Sequence, residues 1–315
     1  MIQEISLPND ITFCIQREDL VHPQIQGNKY RKLKYNLAFA KARKADSLTS
    51  GERSGKAGTY KTLLTFGGAY SNHIAATAIA GELEGFKTVG IIRGEELGEN
   101  LNKTLSQNPT LAKAAACGMQ LEFVSRTTYR EKDSDAYLES LYAKYPSTYI
   151  IPEGGTNALA IKGCSEILDT QGHTFDYVCC PVGTGGTLSG IIESSREEQT
   201  ILGFPALKGD FLDTEIKKWT QKTNWKLIQD YHFGGYAKMN DTLITFINEF
   251  TTRHKIQLDP VYTAKMVYGI FDLISKDYFP AKSRILAIHT GGLQGIQGMN
   301  MKLLKKGLPT IHLEA

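Results

Sequence analysis

The sequence predicts an α/β protein built from two open, twisted, mostly parallel sheets covered by helices. Short apolar runs alternate with longer helical patterns along almost the whole chain, which is how βα units read in sequence. Three of the apolar runs also end in a glycine-rich turn followed by a helix start. Leu63-Leu64-Thr65-Phe66 leads into Gly67-Gly68-Ala69-Tyr70-Ser71-Asn72-His73. Tyr177-Val178-Cys179-Cys180-Pro181-Val182 leads into Gly183-Thr184-Gly185-Gly186-Thr187. Ile285-Leu286-Ala287-Ile288-His289 leads into Thr290-Gly291-Gly292-Leu293-Gln294-Gly295.

Taken in order, Ile11–Ile15 reads as a strand, followed by a loop at Arg17-Glu18-Asp19-Leu20 and a helix over about 29–44. The polar, glycine-bearing stretch 46–61 reads as a surface loop. Strand 62–66, helix 71–84, strand 88–92, helices near 101–117, strand 120–124, helix 133–144 and strand 149–151 follow. After Pro152-Glu153-Gly154-Gly155 a second set begins: helix 157–170, strand 177–182, helix 187–198, strand 201–204, helix 210–221, strand 225–229, helices 240–253 and 263–276, and a last strand at 285–289. The break near 152 and the loop at 46–61 suggest a smaller domain over 46–152, inserted in a larger one made of 1–45 and 153–315.

Bulk properties narrow the function classes. The chain has 315 residues, enough for two domains with cores of their own. A net charge of +3 is too small and dispersed to argue for nucleic acid. No segment is long and apolar enough to span a bilayer. The N-terminus lacks a charged-then-apolar signal pattern, so the expectation is cytoplasmic. Five cysteines show no paired spacing, and Cys179 and Cys180 read as buried core thiols. The seven histidines form no metal-ligand pattern, so no metal is expected.

Three near-matches to known motifs fail. Gly51-Glu52-Arg53-Ser54-Gly55-Lys56-Ala57 is one residue too short for a P-loop and carries Ala57 where a hydroxyl should hold magnesium. Gly183-Thr184-Gly185-Gly186 is not a dinucleotide fingerprint, because Leu188 takes the third glycine position. Ser71 lacks the flanking glycines of a nucleophile elbow.

What remains points to one chemistry. Glycine-rich turns after strands let the backbone approach a ligand, and a following helix N-terminus favours an anion such as phosphate. In Gly27-Asn28-Lys29-Tyr30-Arg31-Lys32-Leu33 a lysine stands at a loop-to-helix junction. Walled in there, its amine would lose its proton more easily and could form a Schiff base. Alone, the stretch reads rather as a solvated basic helix face; beside three glycine turns it suggests one phosphorylated ligand held from several sides.

These stretches together resemble the pyridoxal-phosphate (PLP) enzymes of the 1-aminocyclopropane-1-carboxylate (ACC) deaminase and D-cysteine desulfhydrase family, of the tryptophan synthase β-like fold. The resemblance runs from Arg17-Glu18-Asp19 to Gly295. It rests on Gly27–Leu33, on Gly67–His73, on Ile151-Pro152-Glu153-Gly154-Gly155-Thr156-Asn157 and on Asp259-Pro260-Val261-Tyr262.

The resemblance implies roles. Lys29 would carry pyridoxal phosphate and shuttle protons at the substrate. Gly183, Thr184, Gly185, Gly186 and Thr187 would cradle the phosphate. Ser71 and Asn72, also natural helix caps, would lie by the substrate carboxylate or the cofactor, with Tyr70 and His73 on the substrate side. Tyr262 would be a phenol near the cofactor ring. Tyr236 is either a second such phenol or one more partly buried aromatic among 15 tyrosines. His289 receives no catalytic role. The partner would be a small amino acid, and the assembly a homodimer.

Thr263 and Thr290 bear on the branch. ACC deaminases resemble one another in having Glu and Leu at these places, whereas threonine at both resembles the D-cysteine desulfhydrases. A carboxylate beside the pyridine nitrogen would keep it protonated and make the ring a strong electron sink. A neutral hydroxyl makes a weaker sink, which suits loss of a good leaving group such as thiolate. The expected reaction is therefore β-elimination, with ACC ring opening as the alternative. Tyr70, where the family has glutamine, would narrow the pocket or alter the substrate.

Overall fold

The computed structural model describes residues 1–7, 10–42 and 60–313. All but the last two residues of the loop expected over 46–61, and the whole Gly51–Ala57 segment, lie outside the described residues.

Ten strands form two sheets: β1 (Ile2–Ile5), β2 (Thr12–Gln16), β3 (Thr62–Gly68), β4 (Lys87–Arg93), β5 (Met119–Val124), β6 (Thr148–Ile151), β7 (Tyr177–Val182), β8 (Thr200–Pro205), β9 (Trp225–Leu227) and β10 (Arg284–Ile288). The first sheet has the order β1-β2-β10-β7-β8-β9, and the second β5-β4-β3-β6. Every pairing is parallel except β1 with β2. The fold class is thus two parallel-rich sheets with helices, as the alternation predicts.

The chain divides into two compact units, residues 1–32 with 160–315 and residues 33–159. The sequence reading drew the smaller one at 46–152.

In the first unit both sheet faces are buried, which is why its central strands read as unbroken apolar runs. Phe13, Ile15, Cys179, Leu202, Ile285 and Ala287 pack with residues of helices Asp241–His254, Thr263–Ser275 and Gly295–Leu304. The alternate residues Cys14, Val178, Cys180, Ile201, Leu286 and Ile288 pack with helices Gly186–Ser194 and Phe211–Lys217. Cys179 and Cys180 are fully buried free thiols, as their strand setting suggests. In the second unit, Leu64, Phe66, Val89, Ile91, Tyr129 and Leu141 form the core.

Some elements differ from the sequence reading. β1 was not anticipated; it is a four-residue antiparallel edge strand, too short for its pattern to show. Helix Gly295–Leu304 begins where the glycine turn after β10 suggested a helix start, but its extent was not read, because it opens on glycine with no side-chain cap. The helix expected over 157–170 stops at Cys164, and the strand expected over 225–229 ends at Leu227, where a short 3-10 turn begins. Among the described residues no helix is long and apolar enough to cross a membrane.

Candidate active site

Lys29 lies in the first turn of helix Asn28–Ala42. That helix begins where Gly27, at φ +62°, passes over the β10 turn: a Cβ on Gly27 would stand 1.9 Å from the Thr290 carbonyl oxygen. The Asn28 N–H donates to that same carbonyl at 3.2 Å. The turn is held from below by His289, which is buried beside Asp19. His289 Nδ1 accepts the Gly291 N–H at 3.2 Å, and its Nε2 faces the Gln257 carbonyl at 2.7 Å, so the ring carries its proton on Nε2. His289 is therefore a structural post under Thr290.

Lys29 is partly buried as a residue. Burial draws its pKa well below the ordinary lysine range, and the Lys32 ammonium pushes it further down. Lys32, one turn on, is itself buried, with a pKa lowered by desolvation; its Nζ lies 3.5 Å from the Thr184 hydroxyl. A lysine that gives up its proton more readily is the better nucleophile toward a carbonyl.

The turn after β7 lies against this segment. Asn28 donates from its side-chain amide to the Thr187 hydroxyl at 2.7 Å, tying the residue before Lys29 to the glycine turn. Gly185 adopts the left-handed conformation at φ +84° and starts helix Gly186–Ser194 with no side-chain cap among the described residues. The first-turn N–H groups are thus left for a ligand, and a phosphate fits them. Together with the Thr184 and Thr187 hydroxyls and the Lys32 ammonium nearby, the turn has the donor set of a phosphate cradle.

Tyr262 closes on the same turn. A Cβ at Gly183 would meet the Tyr262 ring at 3.1 Å, so a side chain there would press on the phenol. Tyr236 stands edge-on to Tyr262, with centroids 6.2 Å apart at 69°, and is 42% exposed. Thr263 is buried, and its hydroxyl is bonded to Asp259 rather than open to solvent. Lys29, Thr187, Thr184, Gly183–Gly186, Tyr262, Tyr236, Thr263 and Thr290 all belong to the first unit.

Tyr70, Ser71, Asn72 and His73 belong to the second unit. They follow β3 and open helix Asn72–Glu84, whose N-cap is Ser71; its hydroxyl accepts the Ile74 N–H at 3.4 Å. Capping uses only a lone pair of that hydroxyl, so its proton stays available. Asn72 is partly buried, Tyr70 is 46% exposed and His73 is buried against Gly155.

The sequence reading missed Asn28, Lys32, Asp259 and Lys265 as parts of this neighbourhood. Lys32 had a signal, since it is three residues from Lys29 and so on the same helix face. Asp259 had one too, four residues before Thr263 at a helix start.

Residues 6–291 match the family of pyridoxal-phosphate dependent enzymes. The chain belongs to that family. A Pyrococcus furiosus protein named "Putative 1-aminocyclopropane-1-carboxylate deaminase" is 30% identical over 311 residues, covering 92% of this chain and 87% of that protein. The Arabidopsis thaliana "Bifunctional D-cysteine desulfhydrase/1-aminocyclopropane-1-carboxylate deaminase, mitochondrial" is 28% identical, covering 92% of this chain and 74% of that protein. A crystal structure of an ACC deaminase homologue superposes with a TM-score of 0.75 at 29% identity, over 97% of this chain and 93% of that one. An O-acetylserine dependent cystathionine β-synthase from Helicobacter pylori shares the fold, with a TM-score of 0.63 at 13% identity over 99% of this chain and 95% of that one. This pyridoxal-phosphate enzyme thus groups with the ACC deaminases and D-cysteine desulfhydrases, and its cofactor is pyridoxal phosphate.

Proposed function

We propose that the enzyme removes the β-substituent of a small D-amino acid, with D-cysteine as the best candidate. D-cysteine and water would give pyruvate, ammonia and hydrogen sulfide. The observation that carries this reading is the setting of Thr263. If Thr263 faces the cofactor's pyridine nitrogen, as the family resemblance implies, it offers a neutral hydroxyl whose single proton is engaged by the Asp259 carboxylate at 2.9 Å. Such a group holds a pyridinium far less firmly than a carboxylate does. Elimination of a thiolate tolerates this weaker electron sink better than opening a cyclopropane that has no α-hydrogen.

Bound pyridoxal phosphate supplies the electron sink that acidifies the substrate's α-carbon. The rest falls to side chains. Lys29, its amine made easier to deprotonate by burial and by Lys32, would bind the cofactor and take the α-proton on its amine. Gly183–Thr187 and Lys32 would hold the phosphate. Ser71 and Asn72 would receive the substrate carboxylate, with Tyr70 and His73 shaping their surroundings. Tyr262 and Tyr236 would hand a proton to or from the substrate. Thr290, on the turn locked by His289, would contact the cofactor ring beside Thr263.

ACC ring opening to 2-oxobutanoate and ammonia is the second reading, favoured by the names of the relatives at 28–30% identity. Purified enzyme with pyridoxal phosphate should show a visible imine band that Lys29→Ala abolishes. Sulfide and pyruvate from D-cysteine, without 2-oxobutanoate from ACC, is the expected product pattern. The opposite pattern would establish ring opening and overturn the argument from Thr263.

A further inference from the structure

A buried lysine outside the roles above holds the loop that carries Tyr236. Lys265 lies in the first turn of helix Thr263–Ser275, three residues after Tyr262, and is 2% exposed. Its Nζ donates to the His232 carbonyl at 2.8 Å and to the Gly235 carbonyl at 2.8 Å. Those carbonyls belong to an unusual stretch of backbone: Phe233 (φ 53°), Gly234 (87°), Gly235 (111°) and, just beyond, Ala237 (51°) all have positive φ. Two non-glycine residues in that region carry a conformational cost, which persists only where surrounding contacts impose it. Here the imposed contacts are identifiable. His232 Nδ1 accepts the Gly234 N–H at 2.9 Å, and Lys302 reaches the Ala237 carbonyl at 3.3 Å. Both lie at the solvent side, whereas the Lys265 bonds come from within. Tyr236 sits inside this loop, and its edge-on packing on Tyr262 depends on the loop's path.

The cost of burying this group argues against a passive role. A lysine ammonium in the interior is expensive unless it is bonded. Desolvation has pulled the Lys265 pKa down to about 8, partly offset by Asp259. An apolar side chain would fill the space without that cost, but it would leave each of the two turn carbonyls with its backbone donor alone.

We propose that Lys265 is a positioning residue: by pinning the His232 and Gly235 carbonyls it fixes the Tyr236 phenol beside Tyr262. This rests on the active-site reading of Tyr236 given above. Two measurements on the full chain test it. The first is hydrogen exchange of Lys265→Met against wild type. The Gly235 N–H, bonded to the His232 carbonyl at 3.0 Å, and the Lys238 N–H, bonded to the Gly235 carbonyl at 3.1 Å, should exchange at least tenfold faster, with the core of helix Thr263–Ser275 unchanged. Unchanged exchange at both amides overturns the proposal.

The second is a cycle of Lys265→Met and Tyr236→Phe in the holoenzyme, read as kcat/KM on whichever of D-cysteine or ACC the wild type consumes. Each single variant should lose ten- to a hundredfold, and the double should be no worse than the worse single, because both act through one phenol. Losses that multiply in the double overturn the proposal at Lys265. Wild-type kcat/KM in Tyr236→Phe overturns it at Tyr236, and with it that part of the active-site reading. Should Lys265→Met fail to fold, Lys265→Gln, which is shorter and can reach at most one of the two carbonyls, takes its position in both measurements, with the same outcomes supporting or overturning the proposal.

Discussion

The Thr263 hydroxyl donates to Asp259 Oδ2 at 2.9 Å, and the Asp259 N–H donates back to the same hydroxyl at 2.9 Å. The Asp259 carboxylate also accepts the N–H groups of Val261, Tyr262 and Thr263 at 2.9, 3.0 and 2.8 Å. One buried side chain therefore caps helix Thr263–Ser275 and fixes both residues proposed to face the cofactor. Removing it with Asp259→Ala should cost about 2–4 kcal/mol, since several charge-assisted bonds are lost at once. Thr263→Val removes the two bonds made by the hydroxyl and should cost about 1–2 kcal/mol. Urea unfolding of the two variants checks the order; a larger loss for Thr263→Val would show that Asp259 is not the anchor.

The same geometry predicts the outcome of importing a carboxylate. Thr263→Glu would place a second acid against buried Asp259, where like charges repel in a poorly screened setting. The variant should be destabilised and should not gain ACC ring opening. Adding Asp259→Asn removes the repulsion and should recover part of the stability. Paired melting curves decide it, and no recovery in the double would place the cost in side-chain volume instead of charge.

Gly27 has no alternative residue. Its φ of +62° alone disfavours a side chain, and a Cβ would stand 1.9 Å from the Thr290 carbonyl oxygen. Gly27→Ala must therefore part the Lys29 segment from the β10 turn. The expected loss is about 3 kcal/mol or more, the sum of the backbone strain and the displaced contact, together with weakened cofactor retention. Dialysis of the holoenzyme followed by its visible spectrum reads the second effect.

The scaffold was legible in the sequence where physics is local. β7 and β10 are apolar on both faces, so their runs stood out, and the glycine turns after them marked the carboxyl ends of strands. The motif around Lys29 singled it out as a candidate. The supports were not. Lys265 bonds carbonyls 30 and 33 residues away, and His289 bonds one 32 residues away, so no periodicity announces either contact. A buried charge reads in sequence like a surface one until its partners are known. β1 was missed, and the extent of helix Gly295–Leu304 was not read, for a different reason: short length and a glycine start without a side-chain cap leave little local signal.

Lys265 also makes stability depend on pH. Its pKa is about 8 in the fold, below the 10.5 of an exposed lysine. Below pH 8 both states hold the proton and the burial cost is constant. Between about 8 and 10.5 the unfolded chain binds more protons than the folded one, so raising the pH favours the fold. The wild type should therefore gain on Lys265→Met by up to about 1.4 kcal/mol per pH unit in that window. Denaturant midpoints of both proteins at pH 7, 8.5 and 10 measure it. A gap that narrows in the opposite sense would mean that the folded lysine keeps its proton more tightly than the unfolded one.

Tyr70 offers the cleanest separation of function from stability. It is 46% exposed in the turn between β3 and the Ser71 cap, and it stands where related enzymes carry glutamine. A half-exposed turn residue contributes little to folding, so Tyr70→Gln should leave stability within about 0.5 kcal/mol of wild type. Its neighbours Ser71 and Asn72 are the residues proposed to receive the substrate carboxylate, and a phenol beside them narrows the approach. Replacing it should therefore change KM at least threefold while kcat moves less, because the chemistry proceeds at Lys29. Bulkier β-substituted alanines should benefit most from the added room. If KM for D-cysteine and for a bulkier analogue both stay at wild-type values, the turn after β3 does not read the substrate, and the roles given to Ser71 and Asn72 fall with it.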